Sequence, residues 1–128
     1  MKKHGLLHPQ LVAVVAALGH GDGLLICDAA YPVPPGVVRI DLGYRPNDPR
    51  MLDVLEAVVS ELSIESATIA SEMAGDLATR VGDVLGMHPE RIAHVEFLER
   101  SRDCRAAVVT GEFTPFANVI LSGGVTFA

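Results

Sequence analysis

Apolar residues along this chain switch between helical and strand-like spacing, with no long polar stretch between the segments. His8-Pro9 opens the first segment, with proline in the first helical turn. Alanine-rich apolar residues then carry a helix to about residue 18, where Gly19 can close it. After Gly19, Gly21 and Gly23 comes the unbroken run Leu24, Leu25, Ile26 and Cys27, the mark of a strand buried on both faces. Pro32, Pro34, Pro35 and Gly36 make a rigid loop before a second strand over residues 37–42. Asp48-Pro49 predicts another helix start, with Asp48 as N-cap, and Leu52, Leu55, Val58, Val59 and Leu62 supply its apolar stripe. The pattern then gives a strand at 67–70, a helix at 74–85, a strand at 92–97, a helix at 98–105 and a strand at 106–109. Extended pieces follow at 118–121 and 125–127.

Strands and helices alternating in this way imply one domain over residues 1–128: an α/β sandwich with a largely parallel central sheet flanked by helices. In such sheets ligands collect in the crevice beyond the strand ends, and Asp28 follows its strand directly.

Composition narrows the function. Of 128 residues, 49% are hydrophobic and only 20% charged, so part of the surface is expected to be buried against copies of the same chain. The net charge is −6 and the 10 Lys and Arg residues are scattered, which argues against a nucleic-acid partner. Cys27 and Cys104 form no CxxC pair and read as reduced thiols, Cys27 as core filler, in a reducing compartment. The longest apolar run, residues 11–18, is too short to span a membrane. Lys2 and Lys3 precede it as they would in a secretory leader, but His8, Pro9 and Gln10 interrupt that pattern, and a cytoplasmic location is expected.

The densest polar constellation is Gly19-His20-Gly21-Asp22-Gly23, followed closely by Asp28. A histidine between glycines can face a cleft, and imidazole, with a pKa of about 6.5, can both take and give a proton at neutral pH. A neighbouring acid can orient the ring or hold a ligand hydroxyl. The same residues also fit a helix-capping glycine followed by a solvated histidine. A dinucleotide-binding loop is excluded, because these glycines follow a helix and precede a strand. His4 and His8 are spaced for a metal on one helix face, but Pro9 starts the helix after both and no third ligand is evident, so no metal site is expected. In the expected strand at 92–97, His94 and Glu96 share a face opposite Val95, which fits a site or a solvent face equally. Asn118 carries both donors and acceptors, suited to a hydroxylated ligand or to a turn bonding its own backbone. No GxSxG elbow is present, so nucleophilic hydrolysis is not supported.

Taken together, several of these motifs resemble one family. Lys2-Lys3 with Gly5, Leu18-Gly19-His20-Gly21-Asp22, Cys27-Asp28-Ala29, Pro32-Val33-Pro34 and Val38-Arg39-Ile40-Asp41 are similar to the start of sugar-ring isomerases of the D-ribose pyranase and L-fucose mutarotase family. Gly111-Glu112, Pro115-Phe116-Ala117-Asn118 and Gly124-Val125-Thr126-Phe127 resemble the family's ending. The resemblance covers nearly the whole chain and implies a proton-donor role for His20. It implies sugar contacts from Asp28, His94 and the segment Phe116-Ala117-Asn118, with no cofactor or metal. That segment normally begins with Tyr, so Phe116 lacks a phenolic hydroxyl. His94 and Ala117 resemble the ribose-specific branch more than the fucose-specific one. Decameric rings are a further implication. The expectation is thus an isomerase interconverting pyranose and furanose D-ribose. The alternatives are fucose mutarotation or monosaccharide binding without turnover.

Overall fold

The computed structural model describes residues 1–127; Ala128, the last residue of the expected domain, lies outside them. Its elements are α1 (Pro9–Ala17), β1 (Gly23–Cys27), β2 (Val38–Asp41), α2 (Met51–Val59), β3 (Ile64–Ala70), α3 (Gly75–Leu85), β4 (Glu90–Ile92), α4 (His94–Ser101), β5 (Cys104–Val109) and β6 (Val119–Gly123). The six described strands form one sheet in the order β2-β5-β1-β6-β3-β4. The pairings β2–β5, β1–β5 and β3–β4 are parallel, while β6 lies antiparallel between β1 and β3. The expected α/β sandwich with a largely parallel sheet is therefore what forms, with one reversed strand near its middle.

Leu24, Leu25, Ile26 and Cys27 are all 0% exposed, as an unbroken apolar run requires. Leu24 and Ile26 pack with Leu11 of α1, Leu55 of α2 and Val81 of α3. Leu25 and Cys27 face the other way, toward Phe97 of α4 and Tyr31. Three helices thus cover one face of the sheet and α4 the other. Burial drives the Cys27 thiol far up from its ordinary pKa and the Cys104 thiol up to about 12, so both stay protonated.

Several local expectations are corrected. Asp48 does not cap α2: its carboxylate accepts from the Tyr44 hydroxyl at 2.6 Å and from Arg45 Nε at 3.1 Å. The helix begins at Met51, whose N–H is taken by the Glu112 carboxylate at 3.0 Å, a cap delivered from another loop. The expected stripe does face the core, with Leu55 and Val58 buried and Leu52, Val59 and Leu62 packed partly buried beside them, and Met51 and Val54 join it. His94 opens α4 rather than lying in a strand, and the stretch read as helix at 98–105 divides between the end of α4 and the start of β5. Residues 125–127 form no strand, and Phe127 is 78% exposed. At the end of α1, Leu18 closes the helix in an extended conformation instead of a left-handed glycine.

Glu112 is buried, and burial alone would raise its pKa. The Thr114 hydroxyl at 2.7 Å, the Met51 and Thr114 N–H groups and the nearby Arg50 outweigh this and lower it. Glu112→Gln should therefore cost about 1–3 kcal/mol of stability at neutral pH, measured by urea denaturation. A depressed carboxyl pKa contributes stability that is complete above the unfolded value and lost as pH falls through the folded value. The gap between wild type and variant should narrow in that acid range.

Candidate active site

His20 lies in the turn from α1 to β1, at the end of the sheet where the parallel strands begin. The Asp22 N–H donates to the Gly19 carbonyl at 3.1 Å, and Gly21 has φ +83°, the positive value a type II turn needs at its third residue. Gly123, ending β6, holds the turn from the sheet: its carbonyl accepts from Gly21 and its N–H donates to the Asp22 carbonyl, both at 2.9 Å. A Cβ on Gly123 would lie 2.6 Å from the Gly19 oxygen, so only glycine fits there. The His20 ring is 60% exposed, with Nε2 3.2 Å from Glu65 Oε1 at the start of β3. Such a carboxylate orients the ring and leaves the other nitrogen to exchange a proton. Asp22 does not touch the ring. It accepts from the Gly19 N–H at 2.8 Å and from Arg105 at 3.1 Å, and these two contacts lower its pKa.

The other candidate residues gather at the opposite end of the sheet. Asp28 follows β1; its N–H donates to Asn118 Oδ1 at 2.8 Å and its carboxylate accepts from the Ala30 N–H at 2.9 Å. The first bond fixes which end of the Asn118 amide is oxygen. Asn118 is 1% exposed, and its Nδ2 is buried with no partner among the described residues. Two residues earlier, Phe116 has φ +60°, an unusual conformation for a bulky side chain and one that concentrates at functional sites. The His94 ring meets Phe116 edge-on at 5.0 Å and stacks on Phe97 at 6.3 Å. His94 Nδ1 is likewise buried without a partner among the described residues. The backbone N–H of His94 donates to both Glu72 carboxylate oxygens, at 3.0 and 3.1 Å, so Glu72 caps α4 from the end of β3. Beside Asp28 an open cleft of about 460 Å³ is lined by residues 28–30 and 112–115, with His94 and Asn118 outside its lining.

Asp28, His94, Phe116 and Asn118 are therefore brought together, and His20 is not. The five residues of β1 separate the two groups by roughly 16 Å of strand at about 3.3 Å per residue. Sequence reasoning missed Glu65 and Glu72. Each is an exposed acid at one end of β3, and only the sheet brings it to a histidine far away in the chain.

Residues 1–126 match the RbsD / FucU transport protein family. A D-ribose pyranase of Paracidovorax citrulli is 48% identical over 130 residues, covering 99% of this chain and 100% of the relative. One from Variovorax paradoxus is 46% identical over 134 residues, with the same coverage. The structure of Bacillus subtilis RbsD complexed with D-ribose is 38% identical, with a TM-score of 0.94 over 99% of this chain and 100% of that one. The fucose mutarotase of Streptococcus pneumoniae in complex with L-fucose, 23% identical with a TM-score of 0.81 over 98% of this chain and 100% of that one, shares the fold. A family match running almost end to end, on a sheet whose strand ends collect the expected polar residues, makes this chain a member of the RbsD/FucU family.

Proposed function

We propose that this protein is an isomerase that interconverts the pyranose and furanose forms of D-ribose. The observation that carries the reading is the convergence of Asp28, His94, Phe116 and Asn118 at one end of the sheet, with Asn118 Nδ2 and His94 Nδ1 buried and unpartnered. Buried polar atoms are almost always bonded, and a sugar's hydroxyls suit these two. The Phe116 ring meets the His94 ring edge-on at the same place.

Pyranose and furanose exchange only through the open aldehyde. A base takes the anomeric hydroxyl proton, an acid protonates the ring oxygen, and the ring C–O bond breaks. After rotation a different hydroxyl adds to the aldehyde carbon and the two proton transfers reverse. His20, oriented by Glu65, performs this proton exchange, while Asp28, His94 and Asn118 hold hydroxyls. Because His20 and the sugar-holding residues lie at opposite ends of β1, His20 acts in the site of a second copy of the chain. The protein works as a homo-oligomer, a decameric ring by its family resemblance. Exposed Leu7 (62%), Val95 (72%) and Phe113 (61%) supply apolar surface for such contacts. A light-scattering mass of one chain at micromolar concentration would overturn the assembly. The two buried, unpaired thiols fit a cytoplasmic location, and no helix among the described residues is long and apolar enough to cross a membrane.

Saturation-transfer NMR of ribose with and without the protein tests the reaction directly. Catalysed exchange between ring forms is expected, faster for ribose than for fucose anomers. Faster fucose exchange would assign the mutarotase activity instead, and saturable binding without exchange would make the protein a binding module. Phe116→Tyr should raise ribose exchange several-fold, since one neutral hydrogen bond is worth about 0.5–1.5 kcal/mol. The Phe116 ring already meets His94, so an added hydroxyl enters the same region without a change of backbone.

A further inference from the structure

We propose that Arg105 and Asp22 form a clamp that positions His20, and that this pair sets the rate of ring opening from outside the sugar pocket. The inference rests on the reading of His20 as the acid/base residue.

Packing does not hold the imidazole. The His20 side chain is 60% exposed, and so, at 55%, is its partner Glu65. At the tip of the turn, a Cβ on Gly21 would find nothing within 4 Å. Beyond Glu65, the ring's position comes from the backbone on either side of it, which Gly123 holds from the sheet and one side-chain carboxylate ties to α1 and β5. Asp22 Oδ2 accepts from the Gly19 N–H at 2.8 Å and from Arg105 Nη1 at 3.1 Å, leaving only His20 and Gly21 between the two anchored shoulders. The same Arg105 nitrogen donates to the Ala17 carbonyl at 3.1 Å, placing a cation at the negative end of α1. Helix, turn and strand thus meet at one guanidinium.

The strand is built to deliver it. The β1–β5 ladder pairs Gly23 with Cys104 but Leu24 with Ala106, so the register shifts and Arg105 is left over. A residue displaced from a ladder can aim its side chain elsewhere, and such irregularities gather beside active sites. Within β5, Arg105 is the one exposed residue between buried neighbours.

Arg105→Ala, Arg105→Lys and Asp22→Asn test the clamp, with ribose exchange followed from sub-saturating to saturating sugar. A displacement of about 1 Å can cost a hundredfold in rate, and a loosened turn should cost about tenfold or more. The fall should appear in the saturated rate, with KM within about twofold of wild type, because Asp28, His94 and Asn118 are untouched. Arg105→Lys should recover most of the rate, and Asp22→Asn, which keeps the acceptor for Gly19 but not the charge, should lie between. NMR of the His20 imidazole provides a readout independent of turnover: the ring should become more mobile in Arg105→Ala while thermal melting and oligomer mass stay near wild type. An unchanged ring signal overturns the clamp whatever the catalysis. A loss confined to KM, or one that lysine does not restore, also overturns it. If wild type shows no exchange, the functional reading falls, and the imidazole signal alone decides the clamp.

Discussion

His20→Ala should abolish catalysed ribose exchange, a fall of about 10²–10⁴-fold, the range of one positioned acid/base group. The fold should survive, because the side chain is largely exposed and bonds only to Glu65. The more telling experiment mixes this variant with Asn118→Ala. Each is expected to be nearly inactive alone, since one lacks the proposed proton carrier and the other the amide proposed to hold the sugar. If His20 serves a neighbouring copy, chains unfolded together and reassembled at equal amounts place an intact His20 opposite an intact Asn118 in about a quarter of the sites. Activity should therefore return to about a quarter of wild type. If both residues served the same pocket within one chain, mixing would restore nothing, and that outcome would remove the shared site.

Asn118→Ala should lower kcat/KM for ribose by up to about a hundredfold. It deletes the donor proposed to hold the sugar and also strands the Asp28 N–H, which bonds Asn118 Oδ1 at 2.8 Å, so a second proposed contact is loosened. Two lost sugar contacts at about 0.5–1.5 kcal/mol each amount to at most about a hundredfold, while the stranded Asp28 N–H itself costs about 1–3 kcal/mol of folding stability. Asn118→Asp separates the two effects. It keeps an acceptor for Asp28 but replaces the amide donor with a second carboxylate, so the loop should stay ordered while sugar binding is lost. Wild-type kcat/KM in Asn118→Ala would exclude this amide from substrate contact.

What the sequence disclosed was whatever depends on neighbours in the chain. The run from Leu24 to Cys27 announced a central strand, and the glycines around His20 announced an exposed turn. What it concealed depends on partners far along the chain. His94-Val95-Glu96-Phe97 alternates polar and apolar residues as a strand would, yet it is helical, because Glu72 caps its first N–H and Phe97 fills the space under the sheet. Asp48 looked like a cap by its position before proline, but Glu112 serves α2 instead. Asp28, His94, Phe116 and Asn118 were identified by resemblance and do share one end of the sheet. His20 before the Leu24–Cys27 run and Asp28 after it already stood at opposite ends of one strand, but nothing local could reveal that His94 and Asn118 join the Asp28 end. The reversed β6, inserted between β1 and β3, was equally invisible, since its apolar pattern says nothing about its neighbours.

That placement governs when the protein can become itself during synthesis. β6 follows the other five described strands along the chain, yet it is the one that joins β2-β5-β1 to β3-β4. Until it arrives, the nascent chain holds two short sheets with open edges along β1 and β3, each a template for pairing with other chains. The same arrival completes both chemical ends, because Asn118 leads directly into β6 and Gly123, at its far end, pins the His20 turn. A nascent chain that stalls before residue 119 therefore has neither end of β1 in its final form, and one strand completes both.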